Sequence, residues 1–170
     1  VLIRNHELAF DEFELGPFPN DRYPDGLDRS LSYDPGGQTQ PPQIGGTTTL
    51  VYNPKTGKTE QEFLSPTGTD RNCPAVNMPW HSCITCEETD DMTSARGRLH
   101  GYCFEVSADP KLGLQRAHPL KALGRFRHEA VAFDPIDGSL YLTEDRPDGL
   151  LYRFLPDRKR DFSSGKLSAL

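Results

Sequence analysis

The chain has 170 residues, 25 acidic against 19 basic for a formal charge of -6, and only 35% hydrophobic residues. That is one domain's worth of chain or a piece of a larger one, and its acidic excess argues against a nucleic-acid binder, which needs a basic stripe to displace counterions from phosphates. No run approaches the roughly 20 apolar residues that span a bilayer, and the chain opens on Val1 without a signal-like segment, so any targeting signal is expected outside it.

In chain order, Asn5-His6-Glu7 comes first, followed from Asp11 to Gln43 by a stretch rich in Pro, Gly and polar residues that reads as an extended surface loop. Short apolar runs bounded by turn residues then predict strands at Thr47–Thr59, Ser82–Glu87, Leu99–Val106, Glu129–Asp145 and Gly149–Phe154. Two of these share one hairpin design: Asn53-Pro54 closes on Gly57 and Asp134-Pro135 closes on Gly138. Proline presets one turn position and glycine supplies the positive φ. Recurring hairpins in an all-β chain suggest a β-propeller. At roughly 40 to 50 residues per blade, this chain holds about three or four, so residues 1–170 read as a single propeller-like domain within a longer propeller, or as a smaller sheet domain with long loops.

The four cysteines raise a separate question, because Cys83-Ile84-Thr85-Cys86 is a C-x-x-C beside Glu87 and Glu88. On a strand, residues three apart face opposite ways, so Cys83 and Cys86 would not share a metal. A zinc knuckle would need a turn and a second ligand pair, for which His100 and Cys103 have unusual spacing. A thioredoxin-like dithiol belongs to an alternating α/β chain, which this is not. An antiparallel hairpin of Ser82–Glu87 with Leu99–Val106, centred near Thr93, would set Cys83 opposite Cys103 as a disulfide or as packed thiols. Cys86 would then be the functional sulfur.

Asn5-His6-Glu7, Thr85-Cys86-Glu87-Glu88, Arg127-His128-Glu129 and Thr143-Glu144-Asp145-Arg146 each put acids or imidazoles at a strand edge. Carried to one axis, so many carboxylates require a cation. Several hard oxygens favour calcium or magnesium, and a thiolate among them favours a transition metal such as iron.

These motifs, with Gly45-Gly46-Thr47-Thr48, Asn72-Cys73, Pro79-Trp80, Gly101-Tyr102-x-Phe104-Glu105-Val106, Gly124-Arg125-Phe126 and Asp148-Gly149-Leu150-x-Tyr152-Arg153-Phe154, follow one another in an order that resembles the PhoX-type alkaline phosphatases. The resemblance implies an exported, periplasmic or extracellular β-propeller that hydrolyses phosphate monoesters with iron and calcium. It implies Cys86 as the iron-ligating thiolate, Glu7, Glu87 and Glu144 as first carboxylate ligands, and Glu88, His128, Glu129 and Asp145 as further candidates. It also implies that the chain is the first part of a longer fold. Pro74-Ala75-Val76-Asn77-Met78 stands where the family has a Gly-rich run, and Cys83 and Cys103 stand where it has no cysteine.

A carboxylate-lined pocket repels a dianionic ester until bound cations invert its sign, and a metal-activated water or oxo group would be the nucleophile. No side chain stands in a nucleophile arrangement such as G-x-S-x-G. Arg125, Arg127 and Arg146 are candidate phosphate clamps. Two alternatives are a calcium-dependent lactonase-like propeller, which would need no thiolate, and a non-catalytic propeller fragment acting as a scaffold. Oligomeric state has no signature in the sequence.

Overall fold

The computed structural model describes residues 1–9, 12–18, 25–37, 42–90 and 98–170. Among these residues, ten strands form three antiparallel sheets. The first contains β1 (Leu2–His6), β2 (Gly45–Asn53) and β3 (Lys58–Thr69). The second contains β4 (Asn72–Met78), β5 (Ser82–Glu87) and β6 (Cys103–Ser107). The third contains β7 (His128–Phe133), β8 (Leu140–Glu144), β9 (Leu151–Arg158) and β10 (Asp161–Ala169). In each sheet the strands are ordered as they follow in the chain, so β1, β4 and β7 are edges. Those edges meet, β1 against β4 and β4 against β7. This is the all-β arrangement of an incomplete propeller, with three sheets as successive blades.

The two Pro-Gly turns form as expected. Gly57 N donates to Asn53 O and Gly138 N to Asp134 O, both at 2.9 Å, and the two glycines take φ of 68° and 86°. In each, the side chain of the first residue also caps the turn: Asn53 Oδ1 accepts from Lys55 N, and Asp134 Oδ1 from Ile136 N. The same local chemistry therefore builds the β2–β3 and β7–β8 hairpins.

The main core lies between the second and third sheets and contains Met78, Ile84, Leu123, Phe126, Leu140, Leu142, Phe154 and Phe162. Cys86 and Cys103 belong to it. A smaller cluster joins Tyr33 to Tyr102, Phe104 and Ala117.

The segment expected to run as a surface loop from Asp11 to Gln43 is partly built into the fold. Among its described residues are two short 3-10 turns, Phe13–Leu15 and Arg29–Leu31. Beyond them Ser32, Tyr33 and Asp34 are buried. Tyr33 N donates to Thr67 O and Asp34 N to Gly68 O, both at 2.9 Å, so this strap covers the end of β3. Gly68, at φ 80°, permits it: a Cβ there would meet Ser32 Oγ and sit 2.8 Å from Asp34 N. Polar composition masked the burial, because backbone bonds to β3 and the Tyr33 ring do the anchoring.

The hairpin of β5 and β6 forms, but in a different register from the one expected. Cys86 faces Cys103, and Cys83 faces Val106. Cys83 and Cys103 are not opposite each other, and all four cysteines are free thiols. The expected centre near Thr93 lies outside the described residues. The register has a visible cause: the Glu87 carboxylate, at the end of β5, accepts from Gly101 N at 2.8 Å and Tyr102 N at 3.1 Å, at the entry to β6. Gly101, at φ 100°, allows the close approach, since a Cβ there would lie 2.5 Å from Thr89 O.

Candidate metal centre

Where the edges of the three sheets meet, acids gather around one sulfur. Ligand atoms of Glu7, Cys73 and Glu88 all lie within 4.8 Å of one another, and so do those of Glu88, Glu129 and Asp145. Glu88 belongs to both groups. Glu7 follows β1, Cys73 opens β4, Glu88 follows β5, Glu129 is on β7 and Asp145 follows β8. Each sheet therefore supplies donors from strand ends, Glu7, Cys73 and Glu129 at the edge strands and Glu88 and Asp145 at the strands beside them.

Local bonds hold these ends together. Asn5 Nδ2 donates to Cys73 O at 2.8 Å, and Asn5 Oδ1 accepts from Thr85 Oγ1 at 3.0 Å, which fixes β1 on β4 and β5. Arg71, in the turn before Cys73, takes a left-handed φ of 47° and donates N–H to Leu8 O at 3.1 Å. Glu88 N donates to Arg71 O at 2.9 Å.

Within the cluster, Cys73 Sγ donates to Glu88 Oε2 at 3.3 Å, and Arg127 Nη2 to Glu88 Oε1 at 2.7 Å. Arg127 also lies 4.0 Å from Asp145 Oδ2. Burial, the bond to Glu88 and the charges of Glu7, Glu88 and Glu129 push the Cys73 thiol well above its ordinary range. Burial, then Glu88, Asp145 and Glu7, raise Glu129. In both, the charges of neighbouring acids add to the effect of burial, and a cation in their midst would offset that added part. Carboxylate oxygens with one sulfur suit a hard cation and a softer transition metal side by side. The donor set is thus one that could hold metal ions.

The residues singled out in the sequence divide sharply. Glu7, Glu88, Glu129 and Asp145 are brought together. Glu87, the neighbour of Glu88, points away: fully buried, it accepts from Asp70 N at 2.9 Å and from Gly101 and Tyr102, and pairs with His100 Nδ1 at 2.7 Å. Glu144, the neighbour of Asp145, accepts from Tyr152 Oη at 3.2 Å and lies 3.7 Å from Arg146 Nε. His128, the neighbour of Glu129, is fully buried against Phe126, with ring centroids 3.7 Å apart, and burial lowers its pKa to about 4. Arg125 donates to Asp90 O at 2.7 Å, and Arg146 pairs with the Asp90 carboxylate.

Cys86, expected as the functional sulfur, is in the apolar core, its Sγ 3.3 Å from that of Cys103. The sulfur beside the acids is that of Cys73, to which the motif Asn72-Cys73 attached no role. The usable signal was position: Cys73 is the second residue of an edge strand, Asn72–Met78, entered from the bend at Asp70-Arg71. A cleft of about 560 Å3 flanks β1, lined by Arg4, Leu15, Pro17, Glu62 and Phe63 among others, and meets the acid cluster only at Glu7. No helix among the described residues is long and apolar enough to cross a membrane.

Residues 36–170 match the family described as alkaline phosphatase PhoX. No curated protein matches the chain. Among solved structures, "Pseudomonas fluorescens PhoX in complex with vanadate, a transition state analogue" is similar at 18% identity and a TM-score of 0.48, over 78% of this chain and 33% of that one. The chain spans about a third of the length of that relative.

Proposed function

Because this chain belongs to the PhoX alkaline phosphatase family, we propose that it carries part of the metal centre of a phosphate monoester hydrolase using iron and calcium. The observation that supports this most is the convergence of one thiol and four carboxylates, Cys73 with Glu7, Glu88, Glu129 and Asp145, from all three sheets.

In this reading Cys73 and Glu88 would hold the softer cation with Glu7, while Glu88, Glu129 and Asp145 would hold the harder one. Cations bound here would supply Lewis acidity toward the phosphoryl group. The chain's own side chains position and balance charge. Arg127, bridging Glu88 and Asp145, fixes both carboxylates and leaves a third of its side chain exposed to meet an ester oxygen. Arg125 and Arg146 are tied to Asp90 and serve the walls of the site. Glu87 works from behind, binding both the turn before Cys73 and the entry to β6, so that donors from separate strands keep one geometry. No side-chain nucleophile is needed. Export to a periplasmic or extracellular setting belongs to the same proposal.

Elemental analysis of the protein purified with iron and calcium tests it. Both metals should be retained, with hydrolysis of p-nitrophenyl phosphate that chelation removes, and both should fall in Cys73→Ala. Retention of calcium without iron, unaffected by Cys73→Ala, would overturn it.

A further inference from the structure

Three of the four cysteines form a row across the second sheet: Cys73 on β4 faces Cys86 on β5, which faces Cys103 on β6. Antiparallel pairs alternate between a hydrogen-bonded kind and a non-hydrogen-bonded kind, and the second brings Cα atoms to about 4.5 Å and side chains closer. Backbone bonds identify which pair is which. Glu87 N donates across to Tyr102 O at 3.0 Å, whereas Glu88 N turns the other way, to Arg71 O at 2.9 Å. By this alternation Cys86, two residues before Glu88, also directs its backbone toward β4. Cys103 sends its carbonyl away from β5, to Leu120 N at 2.8 Å.

Cys86 and Cys103 therefore occupy a non-hydrogen-bonded pair, whose spacing falls within the roughly 4.4–6.8 Å that a disulfide spans. Their sulfurs already touch, at 3.3 Å. Cys83 faces Val106 and is poorly placed. Cys73 and Cys86 form the wider, hydrogen-bonded kind of pair, and the Cys73 sulfur is turned to Glu88.

We propose that Cys86 and Cys103 form a cross-strand disulfide that joins β5 to β6 directly behind the acid cluster. The oxidant is a disulfide: one cysteine thiolate attacks its S–S bond and releases one reduced thiol, and the second cysteine then attacks the mixed disulfide and releases the other. The pair loses two protons and two electrons, which the oxidant gains. Both sulfurs are fully buried in the folded chain, so the reaction belongs to folding, before the core closes. Once made, the bond engages the only sulfur that faces Cys73 and leaves Cys73 as the free thiol of the cluster.

The test refolds the reduced, denatured full chain in a mixture of oxidised and reduced glutathione, blocks remaining thiols with iodoacetamide in denaturant, and digests with trypsin. Cleavage after Arg71, Arg96, Arg98 and Lys111 puts Cys73, Cys83 and Cys86 on one peptide and Cys103 on another. The two peptides should be joined in the unmodified sequence and in Cys83→Ser, and fragmentation should place the bond at Cys86; in Cys86→Ser the link should be lost. Recovery of Cys103 in alkylated form, or a bond located at Cys83 or Cys73, overturns the proposal. Fragmentation of the unmodified sequence decides it even if Cys86→Ser does not fold.

Discussion

The Cys73 thiol donates to one oxygen of Glu88 at 3.3 Å while Arg127 holds the other at 2.7 Å, so a single carboxylate links a sulfur on β4 to a cation from the entry to β7. Replacing Cys73 by Ala should lower bound iron by about 10-fold or more, the scale seen when metal-site groups are removed, with loss of phosphate ester hydrolysis. With all thiols kept reduced, Cys86→Ala should retain iron and cost about 1 kcal/mol of stability through lost packing. Metal analysis of the two variants side by side checks the assignment; iron lost in Cys86→Ala alone would reverse it.

Adjacent Glu87 and Glu88 should behave as different kinds of residue. Glu87 is buried and accepts from Asp70, Gly101, Tyr102 and His100, and breaking such a buried charged network costs about 3–5 kcal/mol. Urea unfolding of Glu87→Ala should show that loss. Glu88→Gln should unfold within about 1 kcal/mol of the parent while failing to retain metal.

Stability should fall at alkaline pH through His100. Burial works against its charged form, but hydrogen bonds to Asp34 and Glu87 and the charges of Glu87 and Asp70 outweigh it and raise the pKa to about 10. An imidazole raised from its usual value near 6.5 stabilises the fold fully below that pH and loses the contribution as pH climbs through about 10. Unfolding free energies measured from pH 6 to about 10.5 should decline in this way, and His100→Gln should flatten the decline.

Metal uptake should weaken as the solution is acidified. Burial and the charges of Glu88, Asp145 and Glu7 raise the carboxyl of Glu129, so protons compete with cations there at a higher pH than at an isolated acid. In chelator the sign for stability is opposite: a raised carboxyl pKa makes the fold less stable as pH rises through the range between its unfolded and folded values. Calcium titrations at several pH values should show affinity rising with pH, less steeply in Glu129→Gln.

Gly68→Ala should destabilise by about 1–3 kcal/mol. The new methyl would meet Ser32 and Asp34 of the strap at a φ of 80°, and the loss should appear in urea unfolding without a change in bound metal. An unaltered midpoint would mean the strap yields freely.

Local chemistry was readable from residue types alone. Ser82–Glu87 is a strand from end to end, and Asn53-Pro54 with Gly57 and Asp134-Pro135 with Gly138 make the same turn, because a proline, a capping side chain and a glycine act within five residues. The motifs that carry the acids were also legible, as was the family. Which member of each acid pair looks inward was not. Strand neighbours face opposite sides, so a shift of one residue exchanges Glu87 for Glu88 or Glu144 for Asp145. That phase is set by contacts far apart in the chain, such as Glu87 on Gly101 and Asn5 on Cys73. The same contacts put Cys103 opposite Cys86 and turned Cys73 toward the acids. Composition and spacing determined that donors would be available at strand ends; only the packing of three sheet edges decided which of them share a centre, because a ligand set is a property of distances between segments and not of any one segment.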